Sequence, residues 1–365
     1  MKSLDHHILK ELAGPFLFGV GAFASLMFAG KELFKITELL AEYHAPFLTA
    51  VKLVGLHLPS IVVLTLPMAM LLSVLLAFGR LSGDSEIVAL YAGGISLYRI
   101  AVPVVVVSVL VTGASFVLNE IIVPKTNSAH ENIIKELKNE PLTSEKPFVA
   151  IDAENGETNA VFCVQGRVDA ETGRVHNIWL VRYWKNEPVV FMRGEEAVWK
   201  GGNEWLLERG YSRNINSSDV DSASVTMEFE KSRIVKINKT PEELALYQKK
   251  YDQLSFSELK NYIRMRRAEG IDVNEDLVRL YQKIAIPLAS LVFALIGIPL
   301  GIRPHRSSSA MGLGLAIVII FAYWIFTDYM TVLGINGAMS PMAASFLPTL
   351  AGACLGLALI SRAAK

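Results

Sequence analysis

The chain has 365 residues, of which 52% are apolar and 19% charged, and its mean hydropathy is +0.38. An ordinary soluble domain carries about 25% charged residues, so the balance excludes a single soluble domain and points to a membrane protein. Basic and acidic side chains number 35 each, which excludes the basic excess of a nucleic-acid binder.

Charge is concentrated in one place. Lys125 to Glu275 hold 22 basic and 25 acidic groups, 47 of the 70 in the chain. A hydrophilic module is thus inserted between two apolar halves. A bilayer core of about 30 Å takes about 20 helical residues to cross, because unpaired backbone groups are not tolerated in lipid.

In chain order, the first run of that length is 13–36. Lys2, Lys10 and Ala22-Phe23-Ala24 could be read as a cleaved signal peptide. The apolar stretch runs past that cleavage point, however, and five further spans commit the chain to the membrane. Lys31 and Lys35 lie at i, i+4 near its far end, with Glu32 pointing elsewhere. Ionisable groups at that depth snorkel or meet a partner. Two readings stand: an interfacial anchor, or two ammonium groups aimed at an anionic lipid headgroup.

Span two covers 53–78 and carries Pro59 and Pro67; span three covers 100–123 and ends on Asn119-Glu120. Between them, Gly79 to Ser96 holds a short helix near 82–93. Asp84 or Ser85 can serve as N-cap, Glu86 sits in the first turn, and Gly93-Gly94 end it. Ile87, Leu90 and Tyr91 form one apolar stripe. Such a helix either docks on a partner or lies on the lipid surface; surface helices are normally rich in Lys and Arg, and this one is acidic.

The polar module opens with a helical stretch at 130–139 and then changes period. Runs at 148–152, 160–165, 178–184, 189–192, 197–199, 205–207, 225–229 and 234–237 are β-branched and aromatic, with turn residues at 154–156, 171–173 and 201–203. Eight short strands at this spacing predict an all-β, jelly-roll-like domain or sandwich. Thr240-Pro-Glu-Glu and the capping box Ser255-Phe-Ser-Glu258 start two connecting helices. Spans four to six follow at 277–302, 310–333 and 341–360, with glycine pairs Gly297/Gly301 and Gly352/Gly356 at the i, i+4 spacing that allows close helix approach.

The expected architecture is therefore a membrane α-helical protein of six transmembrane helices with an inserted all-β domain. Residues 1–124 hold helices one to three, 125–240 the β domain, 241–276 a helical connector, and 277–365 helices four to six. With the N-terminus inside, Lys2, Lys10, Arg80, Arg99, Arg303, Arg306, Arg362 and Lys365 flank the cytoplasmic side. Only Lys31, Lys35 and Lys52 flank the other. The positive-inside rule then places both termini in the cytoplasm and the central domain outside.

No Walker A loop, nucleophile elbow, zincin helix or Cys-x-x-Cys occurs, and Cys163 and Cys354 lie in different regions. No catalytic residue, metal ligand or cofactor site is expected; the seven histidines are scattered and read as surface or interface residues.

Several segments together resemble one family. They are Gly79-Arg-Leu-Ser82, Ser85-Glu-Ile87 and Ala92-Gly-Gly-Ile-Ser96, with Pro67 and Pro103 flanking them. Asn119-Glu120 with Pro124, Leu254-Ser-Phe-Ser-Glu-Leu259, and Pro287 with Gly297-Ile-Pro-Leu-Gly301 complete the set. In this order, around three spans, a β domain and three spans, they resemble the LptF/LptG family of lipopolysaccharide-export permeases over nearly the whole chain.

That resemblance implies an inner-membrane permease subunit without catalytic activity. Its partners would be a cytoplasmic ABC ATPase dimer, a second LptF/LptG-type permease and periplasmic lipopolysaccharide-bridge proteins, and its cargo lipopolysaccharide. The short helix would be the coupling helix, with Glu86 meeting a basic residue of the ATPase and Ile87, Leu90 and Tyr91 docking beside it. Lys31 and Lys35 would hold glycolipid phosphates, and the β domain would pass lipid onward. One departure is His6-His7 after Asp5, where the family often has an aromatic. Rival readings are an exporter permease for another envelope lipid, lipoprotein or peptide, or a non-transporting envelope scaffold or sensor.

Overall fold

A computed structural model describes residues 2–138, 147–154, 157–185, 187–215, 226–229, 233–302 and 309–364. Arg303, Arg306, Lys365 and the turn residues Asn155 and Gly156 lie outside the described residues. The elements in chain order are α1 (Lys2–Met27), a π-helical turn (Phe28–Glu32), α2 (Leu33–Tyr43), α3 (Phe47–Gly83), α4 (Glu86–Ala92), α5 (Leu97–Val117), a second π-helical turn (Leu118–Ile122) and α6 (Val123–Leu137). Then come β1 (Phe148–Glu154), β2 (Glu157–Val164), β3 (Val168–Asp169), β4 (Arg174–Trp184), β5 (Glu187–Gly201), β6 (Glu204–Asn214), β7 (Thr226–Phe229) and β8 (Arg233–Lys236). The chain closes with α7 (Pro241–Gln248), α8 (Phe256–Ala268), α9 (Asn274–Gly301), α10 (Ser309–Ile335) and α11 (Pro341–Ala363). Two compact units result: 1–133 with 274–365, and 134–273.

The first unit is the helical bundle. Among the described residues six helices are long and apolar enough to cross a membrane: Leu4–Gly30, Phe47–Gly83, Leu97–Leu137, Asn274–Gly301, Gly312–Ile335 and Pro341–Ala363. Span three runs on without a break, through the second π turn, into α6. α3 is the central element. Its Met70, Val74 and Phe78 join Ile8 and Leu12 of α1, Ile100 and Val104 of α5, Ile298 of α9 and Ile360 of α11 in one buried cluster. The outward faces stay apolar as well: Leu17, Phe18, Phe321, Ile325 and Leu350 are all exposed. A protein in water does not leave so much apolar surface uncovered; in a bilayer that surface is lipid-facing.

Both glycine pairs sit where helices come closest. A Cβ on Gly301 would stand 2.6 Å from the Phe78 Cβ, and one on Gly297 3.0 Å from the Val74 Cγ1, so α9 packs on α3 through small residues. On α11, a Cβ on Gly352 would meet Val292 at 2.5 Å and one on Gly356 would meet Leu295 at 2.8 Å.

The second unit holds one antiparallel sheet in the order β1-β2-β4-β5-β6-β7, with β3 pairing β4 and β8 pairing β6. This is a curled meander in a single sheet, an inserted β domain of the expected kind. The curl is required by burial: Phe162 on β2, Leu180 on β4, Met192 on β5, Trp205 on β6 and Val235 on β8 share one core, which a flat sheet could not bring together. Breaks of register at Asp152/Ala153, Arg182/Tyr183 and Trp199/Gly201 bend the strands.

Two of the expected strands are one. The runs 189–192 and 197–199 belong to a single strand, β5, because Gly194 is paired on both sides, with Ile178 and Gly210. The glycine allows a close approach, since a Cβ there would meet Leu207 Cδ2 at 3.2 Å. Leu244 of α7 closes the same core. The Trp205 indole N–H donates to the Lys239 carbonyl at 3.0 Å.

Thr240 and Ser255 do form capping boxes, with Glu243 and Glu258. Between α7 and the end of α8, buried Lys239 pairs with Glu269 at 2.7 Å, and the Tyr247 hydroxyl donates to the same carboxylate. Burial, then the Glu269 carboxylate, pushes the Tyr247 phenol well above its ordinary range.

Candidate functional site

α4 forms where the sequence places it, with Ser85 as N-cap and Gly93-Gly94 at its end, but the N-cap is built differently. Ser85 is the N-cap in the left-handed region (φ 63°), and its side chain makes no capping hydrogen bond. The turn is closed instead by backbone: Asp84 N–H donates to the Arg80 carbonyl at 2.9 Å. At the other end Gly94 takes φ 78°, and Ile95 N–H reaches back to the Leu90 carbonyl at 3.0 Å. That is the Schellman closure a glycine permits.

The stripe Ile87, Leu90 and Tyr91 divides between two tasks. Ile87 is 1% exposed and belongs to the buried cluster of Phe78, Leu81 and Leu97, and Leu90 packs partly against it. These two residues seat α4 on its own bundle. Tyr91 stays exposed, with Val88, Ala89 and Ala92 beside it, and they form the outward face. Burial of part of its ring raises the Tyr91 phenol above its ordinary value.

Glu86 is half-exposed at the first turn, and His7 Nε2 stands 2.8 Å from its Oε2. Two further charge pairs tie the start of α1 to the same end of the bundle. Arg99 makes a bidentate pair with Asp5, at 2.6 and 2.8 Å. Arg80 reaches Glu11 at 3.1 Å and Asp84 at 3.7 Å. Lower down, Ser73 Oγ donates to the Leu12 carbonyl at 2.8 Å and Gly19 rests on Ala69. The N-terminal helix, whose role the sequence left open, is thus fastened to α3, α4 and α5. Asp5, His7 and Glu11 were missed in the sequence because their partners lie far along the chain. The available signal was the placing of charge in a stretch that leads directly into a span.

Lys31 and Lys35 lie at the opposite end of α1. Lys31 falls inside the π-helical turn, which widens the helix by about one residue and alters the simple i, i+4 geometry; its side chain lies outside the described residues. Lys35, on α2, is exposed, and among the described residues no carboxylate lies within ion-pairing distance of it. Phe34 beside it is 74% exposed. Lys35 thus stands exposed beside an exposed aromatic ring, with exposed Glu38 and Glu42 on the same helix.

The family model for the lipopolysaccharide export system permease LptF/LptG matches residues 6–362. The chain is 26% identical over 309 residues to the lipopolysaccharide export system permease protein LptG of Escherichia coli strain K12, covering 81% of this chain and 82% of that protein. It is 25% identical over 264 residues to the LptG protein of Haemophilus influenzae, covering 72% and 71%. With the six apolar helices, the inserted β domain and a family match from end to end, the chain belongs to the LptF/LptG family of lipopolysaccharide export system permeases.

Proposed function

We propose that this protein is a permease subunit of the inner membrane that extracts lipopolysaccharide and passes it to a periplasmic bridge. A separate cytoplasmic ATPase dimer drives it, and a second LptF/LptG-type permease, homologous or identical, completes the pathway. Both termini are cytoplasmic and the β domain periplasmic. The chain is not an enzyme: ATP hydrolysis belongs to the partner.

The observation that carries this reading is the seating of α4. Glu86 stands outward on a helix whose inner side, Ile87, is buried in the same cluster as Ile8 and Leu12 of α1. A push on α4 therefore reaches α1 through these packed side chains, while the Asp5 and Glu11 pairs tie α1 to α5 and α3. Packed interfaces pass such shifts on as discrete rearrangements. At the far end of α1, Lys35 meets the glycolipid phosphates together with Lys31. ATP-driven closure of the partner then moves α4 and α1, and the bound lipid is displaced toward the β domain.

The test is reconstitution with the ATPase, the second permease and bridge protein, reading ATP-dependent transfer of lipopolysaccharide. Transfer that needs all components is expected; nucleotide-independent association with no lipid transfer would instead favour a scaffold. Charge reversal by Lys31→Glu and Lys35→Glu is expected to weaken photo-cross-linking of the glycolipid to α1 at least about tenfold, the equivalent of one lost charge-assisted contact of about 1.4 kcal/mol. Unchanged cross-linking would return the two lysines to plain interfacial anchors.

A further inference from the structure

At the end of the bundle remote from α4, three helices bring together residues that are scattered in sequence. Glu32 closes the first π-helical turn, His57 lies on α3, and His130 lies on α6. Glu32 Oε1 stands 3.5 Å from His57 Nε2, and the two imidazole centroids are 5.2 Å apart with their planes tilted by 40°. One ligand atom from each residue lies within 4.8 Å of the other two.

Two atoms of this cluster are buried with their bonding capacity unused. His130 is 5% exposed, and among the described residues its Nε2 has no hydrogen-bond partner; the Oε2 of Glu32 is in the same condition. Leaving a buried polar atom unpaired costs about 1–3 kcal/mol, so two in one place call for a shared ligand. Each is an electron-pair donor, and His57 adds a third. A hydrogen-bond donor such as water could serve one pair of them, but a cation serves all three.

The geometry selects the cation. Bonds of about 2.0–2.2 Å in a tetrahedral zinc site separate neighbouring ligand atoms by about 3.4 Å, close to the Glu32–His57 distance of 3.5 Å. The His130 nitrogen, within 4.8 Å of the other two ligand atoms, closes the triangle by approaching them by up to about 1.4 Å. Imidazole nitrogens disfavour calcium and magnesium, which take oxygen ligands, and suit first-row transition metals. Three protein ligands leave a fourth position for water. The Glu32 carboxylate supplies the anionic ligand.

We propose that Glu32, His57 and His130 form a binding site for a divalent transition cation of the zinc class. Such an ion joins the π-helical turn between α1 and α2 to α3 and α6. It fixes the position of Lys35, three residues beyond Glu32, without contacting it. The inference concerns metal binding alone and stands whether or not lipid export is the chain's activity.

The experiment uses the full-length protein in detergent, purified by a tag free of histidine. After chelation it is titrated with zinc chloride against a competing chromophoric chelator, and with cobalt chloride for its visible spectrum. One equivalent of zinc is expected, with the intense visible absorption of four-coordinate cobalt. That equivalent is lost in the triple variant Glu32→Gln, His57→Gln, His130→Gln, and His57→Gln alone weakens affinity at least about tenfold, or 1.4 kcal/mol. Equal zinc uptake by the wild-type and triple variant overturns the proposal. So does a zinc X-ray absorption spectrum of the wild-type protein with fewer than two imidazole ligands, a readout that requires no variant to fold.

Discussion

Glu86 and Ile87 are neighbours on α4, yet their environments predict opposite consequences of truncation. The Glu86 side chain is 43% exposed and its His7 partner 44%. A hydrogen-bonded pair so wet contributes at most about 1 kcal/mol. Glu86→Ala is therefore expected to leave thermal stability within about 1 kcal/mol of the wild type. Ile87 is 1% exposed among Phe78, Leu81 and Leu97, and removing such a side chain to alanine costs about 2–5 kcal/mol.

If α4 is the handle by which an ATPase moves the bundle, Glu86→Ala should lose function without losing the fold. In proteoliposomes holding the ATPase and the second permease, lipopolysaccharide transfer per ATP hydrolysed should fall at least tenfold, on the order of the 1.5–3 kcal/mol carried by a hydrogen bond to a charged group. Glu86→Gln, which keeps the shape, should behave like Glu86→Ala. Ile87→Ala should instead lower the melting temperature and the yield of assembled protein. Normal transfer by Glu86→Ala with the ATPase bound would refute the coupling role. Equal destabilisation by Glu86→Ala and Ile87→Ala would refute the division of the helix into a buried and a working face.

Four other outcomes follow from particular positions. His7→Ala frees Glu86 from an exposed pair of at most about 1 kcal/mol, so the ATPase should bind up to about fivefold tighter in a titration by microscale thermophoresis; weaker binding would mean that His7 holds Glu86 in its working position. Gly301→Ala forces a Cβ to 2.6 Å from Phe78, and should cost about 1–3 kcal/mol of stability in detergent. Gly21→Ala, where no atom lies within 4 Å, should change stability by no more than about 1 kcal/mol. Glu269→Gln strands buried Lys239, so hydrogen exchange across α7 and α8 should report a loss of about 3–5 kcal/mol; retained protection would show that the Tyr247 hydroxyl suffices to hold the ammonium.

The six spans, the inserted β domain, α4 and the two capping boxes were readable in the residues themselves. Each rests on a local or periodic rule: the length of apolar chain needed to cross lipid, alternation along a strand, or a side chain that bonds a backbone three positions on. Tertiary structure alone decided what α4 does with its stripe. A helical pattern marks an apolar face but not what covers it, and here Ile87 turns inward. It alone showed that β5 continues through Gly194, since strand continuity depends on pairing with Ile178 and Gly210 across the sheet.

The contacts that matter most to the proposed mechanism were also the least legible. His7 and Glu86 are 79 residues apart, and Asp5 and Arg99 94. Glu32, His57 and His130 come from three separate helices and fit no spacing motif. A motif records ligands held by one element, whereas these are held by the packing of α1, α3, α5 and α6, and packing is set by every residue in the bundle at once.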